Sequence, residues 1–109
     1  MKNKAQPFHF KEFSNLDSSP DVDYLIHSMD VMMSLESIRG IKRRALSAMN
    51  VQAGDSVLEI GCGHGEDAEA LGKLVGETGS VLAVDLSSRM IEEAKRRSQQ
   101  SNVDYLVAD

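Results

Sequence analysis

The sequence predicts an α/β fold built on a parallel sheet. Two observations carry this. Over residues 51–109, short apolar runs alternate with amphipathic segments of helical period, in the order strand, helix, strand, helix, strand. A glycine-rich run, Gly61-Cys62-Gly63-His64-Gly65, stands where the first strand should hand over to the first of these helices. Strands that are apolar throughout and separated by helices belong to parallel sheets with right-handed crossovers.

Residues 1–18 show neither period and hold all three phenylalanines, Phe8, Phe10 and Phe13, expected to clip this segment onto the body. Ser18-Ser19-Pro20 reads as a helix start, with a serine cap and proline in the first turn. Val22, Leu25, Ile26, Met29 and Met33 follow as one apolar stripe over residues 21–33, the methionines acting as adaptable filler. A second helix is expected over about 35–49, with Leu35, Ile38, Ile41, Ala45, Leu46 and Met49 on one side. Lys42, Arg43 and Arg44 read as its solvated face, and Gly40 weakens its continuity.

Asn50 and Ala53-Gly54-Asp55 end the helical region. Val57-Leu58-Glu59-Ile60 is the first strand. Ala68, Leu71, Leu74 and Val75 form the next helical stripe, closed by Gly76 at a C-cap position. Val81 to Val84 make a second strand ending in Asp85. Ser87 or Ser88 caps a helix that buries Met90, Ile91 and Ala94, and Val103 to Val107 form the third strand.

The chain has 109 residues, enough for at most one domain with a modest core, and 41% of them are hydrophobic. A formal charge of -5 argues against a dedicated nucleic-acid surface. The single cysteine, Cys62, forms no internal disulfide, and no apolar run approaches the roughly 18–20 residues of a membrane span. A cytoplasmic location is the default expectation.

In doubly wound sheets, ligands bind at the carboxyl ends of the strands, where the glycine run lies. Glycines there let a ligand approach the backbone closely. The dinucleotide fingerprint requires a third glycine three positions after the second, and this chain has Glu66 there, followed by Asp67. Two carboxylates at a helix start repel a pyrophosphate. S-adenosylmethionine (SAM) has no phosphate and carries a sulfonium and an ammonium, which suit the acidic Glu59 just before the loop. Asp85 ends the second strand 20 residues beyond Gly65, where an acid accepts hydrogen bonds from ribose hydroxyls. Its plainer alternative is a helix cap.

Taken together, Val57-Leu58-Glu59-Ile60-Gly61-Cys62-Gly63-His64-Gly65, Val84-Asp85-Leu86-Ser87 with Met90, Ile91 and Ala94, and Asp109 resemble the successive motifs of class I SAM-dependent methyltransferases. Gly76-Glu77-Thr78-Gly79-Ser80-Val81 is similar to the corresponding turn in the small-molecule branch, which includes quinone and arsenite methyltransferases. The resemblance covers residues 51–109. It implies the first half of a Rossmann-like three-layer αβα fold with a parallel sheet. Residues 1–50 would then be N-terminal helices that act as a lid.

The resemblance also implies roles. Backbone groups of Gly61, Gly63 and Gly65 would hold the methionine part of SAM, with Glu59 adding polarity near its ammonium. Asp85 would take the ribose hydroxyls, Leu86 would lie against the adenine, and Asp109 would reach the adenine amino group. No metal is implied, and no catalytic base can be named. His64 is expected either to touch the cofactor or to face solvent, and Cys62 to be a small buried residue rather than a nucleophile. Tyr24 and His27 are candidates for facing the site from the lid.

The partner expected is a small-molecule methyl acceptor, not nucleic acid. The family sheet has seven strands with the first at its centre, so three strands would leave an uncovered apolar edge that invites self-association. The chain therefore reads as a SAM-binding fragment without turnover of its own. A non-catalytic assembly module and a nicotinamide-dependent oxidoreductase half are the alternatives.

Overall fold

The computed structural model describes residues 15–18 and 20–109. The expectations for Phe8, Phe10 and Phe13 lie outside the described residues. A single 3-10 turn, Leu16–Ser18, precedes helices α1 (Val22–Ser34) and α2 (Glu36–Met49). Then come β1 (Ser56–Ile60), α3 (Glu66–Val75), β2 (Ser80–Asp85), α4 (Ser88–Arg97) and β3 (Val103–Val107).

The three strands pair in parallel in the order β1-β2-β3, in register Val57 to Val81 and Val81 to Val103. Both crossover helices lie on one face of this sheet. Leu71 and Val75 of α3 and Ile91 and Ala94 of α4 share a core with Val81, Ala83, Val103 and Tyr105. Burying a side chain such as Leu71 contributes about 2 kcal/mol, and truncating it to alanine costs about 2–5 kcal/mol. The period-2 alternation sends Leu58, Leu82 and Leu106 to the other face, where they are 58%, 41% and 52% exposed. Of the three expected layers, the described residues supply the sheet and one helical layer. β1 keeps a free edge.

Three boundaries follow from capping chemistry. Asp21, not Ser18, caps α1: its carboxylate accepts the Tyr24 N–H at 3.3 Å, and Ser19 lies outside the described residues. Ser18 instead closes the 3-10 turn onto the Asn15 carbonyl. Gly76 (φ +66°) ends α3, and Ser87 caps α4 by accepting the Met90 N–H at 3.0 Å.

The α1 stripe behaves as expected. Val22 is buried with Leu16 and Met90, and Leu25, Ile26 and Met29 pack around them. The stripe of α2 does not. No residue of that helix is buried, and Ile41 and Met49 are 54% and 55% exposed. Only Leu46 of α2 packs against the main core. Gly40 leaves α2 unbroken. Lys42 is not on a solvated face, because its ammonium bonds both Asp67 oxygens of α3, at 2.8 and 2.7 Å.

Candidate functional site at the carboxyl ends of the strands

β1 ends at Ile60 and the chain turns at once. The Gly61 and Cys62 N–H groups both donate to the Val84 carbonyl, at 2.8 and 2.9 Å, which seats the loop against the end of β2. Gly61 (φ +77°) is exposed, and no atom lies within 4 Å of where a Cβ would stand. Gly65 (φ +91°) is the opposite case. A Cβ there would come within 2.5 Å of the Tyr105 hydroxyl, so β3 and the loop touch because this residue lacks a side chain.

Asp85 is the hinge of the site. The Gly63 N–H donates to its Oδ2 at 2.8 Å, and the Ser87 N–H to its Oδ1 at 2.9 Å. Each oxygen retains acceptor capacity, since an ionised carboxylate offers about four lone-pair directions. Leu86, next in the chain, is 50% exposed. The Ala108 N–H donates to the Asp85 carbonyl at 3.0 Å, which brings exposed Asp109 to the same end of the sheet. Gly61, Asp85, Leu86 and Asp109 therefore share one open lip.

Glu59 lies apart from that lip. Its carboxyl faces the helix-covered side and lines a cavity of about 160 Å³ with Lys42, Leu46 and Asp67. Burial, reinforced by the Asp67 charge, pushes its carboxyl up to about 7, and Lys42 opposes this. Oε2 is buried without a hydrogen-bond partner.

His64 is neither exposed nor on the lip. It is 4% exposed, with Nε2 3.2 Å from Asp30 Oδ1 of α1, close enough for attraction but without hydrogen-bond alignment. Asp30 also takes both Arg97 nitrogens, at 2.7 and 2.8 Å, so α1, the loop and α4 meet at one carboxylate. Met29, one residue earlier, packs over Gly63. Cys62 is buried, as expected. Burial, then the charges of Glu59 and Asp85, push its thiol up to about 12, far from a nucleophilic thiolate. Tyr24 is 62% exposed and His27 is exposed, and no described contact brings either to the lip.

A second cavity, of about 770 Å³, separates α2 from α3 and is lined by Arg39, Lys42, Glu66, Asp67, Lys73 and Arg97 among others. None of the lip residues lines it. Lys42 and Arg97 are already held by Asp67 and Asp30. The strand-end lip, with its open glycine and half-buried acid, is the better ligand site.

The lip fits an adenosyl ligand. It offers an open backbone at Gly61, spare acceptors on Asp85 and an apolar surface at Leu86. It fits a pyrophosphate poorly, because Glu66, Asp67 and Glu69 all stand in the first turn of α3.

Comparison with known proteins agrees. A methyltransferase domain model matches residues 57–109. Over this segment the chain carries a methyltransferase domain. It is 32% identical over 94 residues to a demethylmenaquinone methyltransferase of Oceanobacillus iheyensis, covering 86% of this chain and 37% of that protein. Among solved structures, a protein-L-isoaspartate O-methyltransferase is 33% identical with a TM-score of 0.59, covering 63% of this chain and 23% of that one. An arsenic(III) S-adenosylmethionine methyltransferase of Chlamydomonas reinhardtii is 32% identical with a TM-score of 0.51, covering 54% and 23%. The chain thus spans well under half the length of these relatives. Among the described residues, no helix is long and apolar enough to cross a membrane.

Sequence reasoning missed Asp17, Asp30 and Tyr105. Asp17 and Asp30 act across some 70 positions or through a buried neighbour, and no local pattern marks them.

Proposed function

We propose that this chain is the SAM-binding part of a methyltransferase that passes the methyl group to a small-molecule acceptor. The observation that carries the reading is Asp85, held by Gly63 and Ser87 beside open Gly61 and exposed Leu86. When bound, SAM supplies a methyl group already activated on a sulfonium. The residues of this chain bind and orient. Asp85 accepts the two ribose hydroxyls through its spare lone pairs, Leu86 covers one face of the adenine, and Asp109 accepts from the adenine amino group. The exposed backbone at Gly61 meets the methionine part, buried Gly63 and Gly65 shape the loop behind it, and Glu59 sets the polarity behind the loop. Catalysis on this plan is proximity and orientation, which need no general base from these residues.

α1 and α2 form a cover over the loop, a role supported by Met29 and Asp30 packing on Gly63 and His64. A quinone-like acceptor is favoured by the name of the Oceanobacillus relative, and the net charge of -5 favours a small molecule over nucleic acid. A cytoplasmic protein is the simplest setting. The free edge of β1, with Ile60 79% exposed, supports pairing with another strand, including that of a second copy.

Calorimetric titration with SAM, S-adenosylhomocysteine and NAD tests the reading. Binding of the first two and not of NAD is expected, with Asp85→Asn weakening both at least about tenfold, the scale of a lost hydrogen-bonding charge. Binding of NAD alone would overturn the reading. A folded chain that binds none of the three would favour a non-catalytic assembly module.

A further inference from the structure

Asp17 stands in the short turn before α1, yet all four of its described hydrogen bonds go to the start of α4. Its Oδ2 accepts the Ser88 N–H and the Ser88 hydroxyl, both at 2.8 Å. Its Oδ1 accepts the Ser87 hydroxyl at 2.5 Å and the Arg89 N–H at 3.2 Å. The first amides of a helix have no partner within it, and a negative charge there is favoured by the helix dipole. Ser87 satisfies the Met90 amide, and Asp17 satisfies the two before it. Leu16 beside it is 4% exposed and packs on Val22 and Met90, which anchors the turn. The same bonds, led by that from Ser87, hold the Asp17 carboxyl down at about 2, so it is charged throughout the working range.

The position of this clamp gives it a consequence beyond helix capping. Ser87, which donates its hydroxyl to Asp17, donates its N–H to Asp85 Oδ1. Asp85 Oδ2 in turn takes the Gly63 N–H. One continuous path therefore runs from Asp17 through Ser87 and Asp85 to the glycine loop. Leu86 lies inside the clamped turn.

We propose that Asp17 is a positioning residue: it fixes the Asp85–Ser87 turn and, through it, the ribose end of the cofactor site. The second half of this statement rests on the SAM reading above. Hydrogen bonds to a charged group are about twice as strong as neutral ones, and groups supporting a binding residue commonly matter nearly as much as the residue itself. Without Asp17, the turn would sample other arrangements and Asp85 would meet the ribose in only a fraction of molecules.

The test compares Asp17→Ala, Asp17→Asn, Asp85→Asn and the Asp17→Ala/Asp85→Asn double variant in the full protein. Two quantities are read: amide hydrogen exchange at Gly63 and Ser87 without ligand, and the calorimetric affinity for S-adenosylhomocysteine. Asp17→Ala should speed exchange at both amides and weaken affinity by about tenfold, with Asp17→Asn between it and the parent. In the double variant the two losses should not add, since Asp17 acts through Asp85.

Unchanged exchange at Ser87 and Gly63 overturns the clamp, whatever the affinities. Faster exchange with unchanged affinity, or with losses that add fully, reduces Asp17 to a helix cap and overturns its positioning role. A parent protein that binds no S-adenosylhomocysteine, while exchange still responds to Asp17, sinks the SAM reading and leaves the clamp on the Asp85 turn established. A lowered melting temperature with intact affinity counts against the proposal, so stability alone cannot imitate the expected result.

Discussion

Lys42 Nζ lies 2.7 Å from Asp67 Oδ2, joining the otherwise unburied α2 to the first turn of α3. The two side chains are 26% and 38% exposed, so solvent screens the pair and its direct contribution is about 0.5–1 kcal/mol. Lys42→Met should lower stability by that amount in urea unfolding. It should also raise the Glu59 carboxyl further, because Lys42 is the charge that holds it down. An unmoved Glu59 titration in carboxyl NMR would contradict this arrangement.

Glu59 sets a pH dependence. Its folded value, pushed up to about 7, exceeds its ordinary 4.5, so the folded state holds the proton more tightly than the unfolded one. Stability from this group is therefore highest below about pH 4.5 and declines as the pH rises to 7, where burial of the charge is felt. Glu59→Gln should remove the decline. Urea midpoints of the two proteins should separate across that window in favour of the variant, and parallel curves would show that Glu59 is not the cause.

Gly61 and Gly65 should respond differently to alanine. Gly65→Ala drives a Cβ into the Tyr105 ring, with positive φ besides, and should cost about 2–4 kcal/mol. Gly61→Ala meets no atom and should cost only the backbone strain of about 1 kcal/mol. Its larger effect should be on S-adenosylhomocysteine affinity, because the methyl group occupies the open lip. Calorimetry beside thermal unfolding separates the two, and equal stability losses would refute the contrast.

Asp30→Ala removes the two bonds to Arg97 and the charge near His64. Both ionic partners are about one-third exposed, so about 1 kcal/mol is expected. Loosening should concentrate in α1, with faster amide exchange there than in β2. Uniform acceleration would mean that Asp30 supports the whole fold instead of the cover.

The sequence made the sheet half legible because each signal was local. Apolar runs at 57–60, 81–84 and 103–107, glycines at 61–65 and 76, and the serine before α4 each act within a few residues. The start of α1 was misplaced because Ser18, Ser19 and Asp21 all suit a cap, and the geometry of the preceding turn chose Asp21. The burial of His64 was not legible, since it depends on Asp30 arriving from another helix. The bareness of α2 was hidden for a similar reason. An apolar stripe states what a helix can bury, while the neighbouring surface decides how much it does.

The bridge from Asp17 to Ser88 also has a kinetic meaning. It closes 71 positions of chain with one side chain, and its receptor exists only after β2 has paired and α4 has begun. Such a contact cannot guide the search for the native state, because its loop-closure entropy is offset only by a target already formed. Asp17→Ala should therefore leave the refolding rate unchanged and quicken unfolding, a φ-value near zero in stopped-flow chevrons. The residue that secures the Asp85 turn would be among the last to arrive and the first to leave.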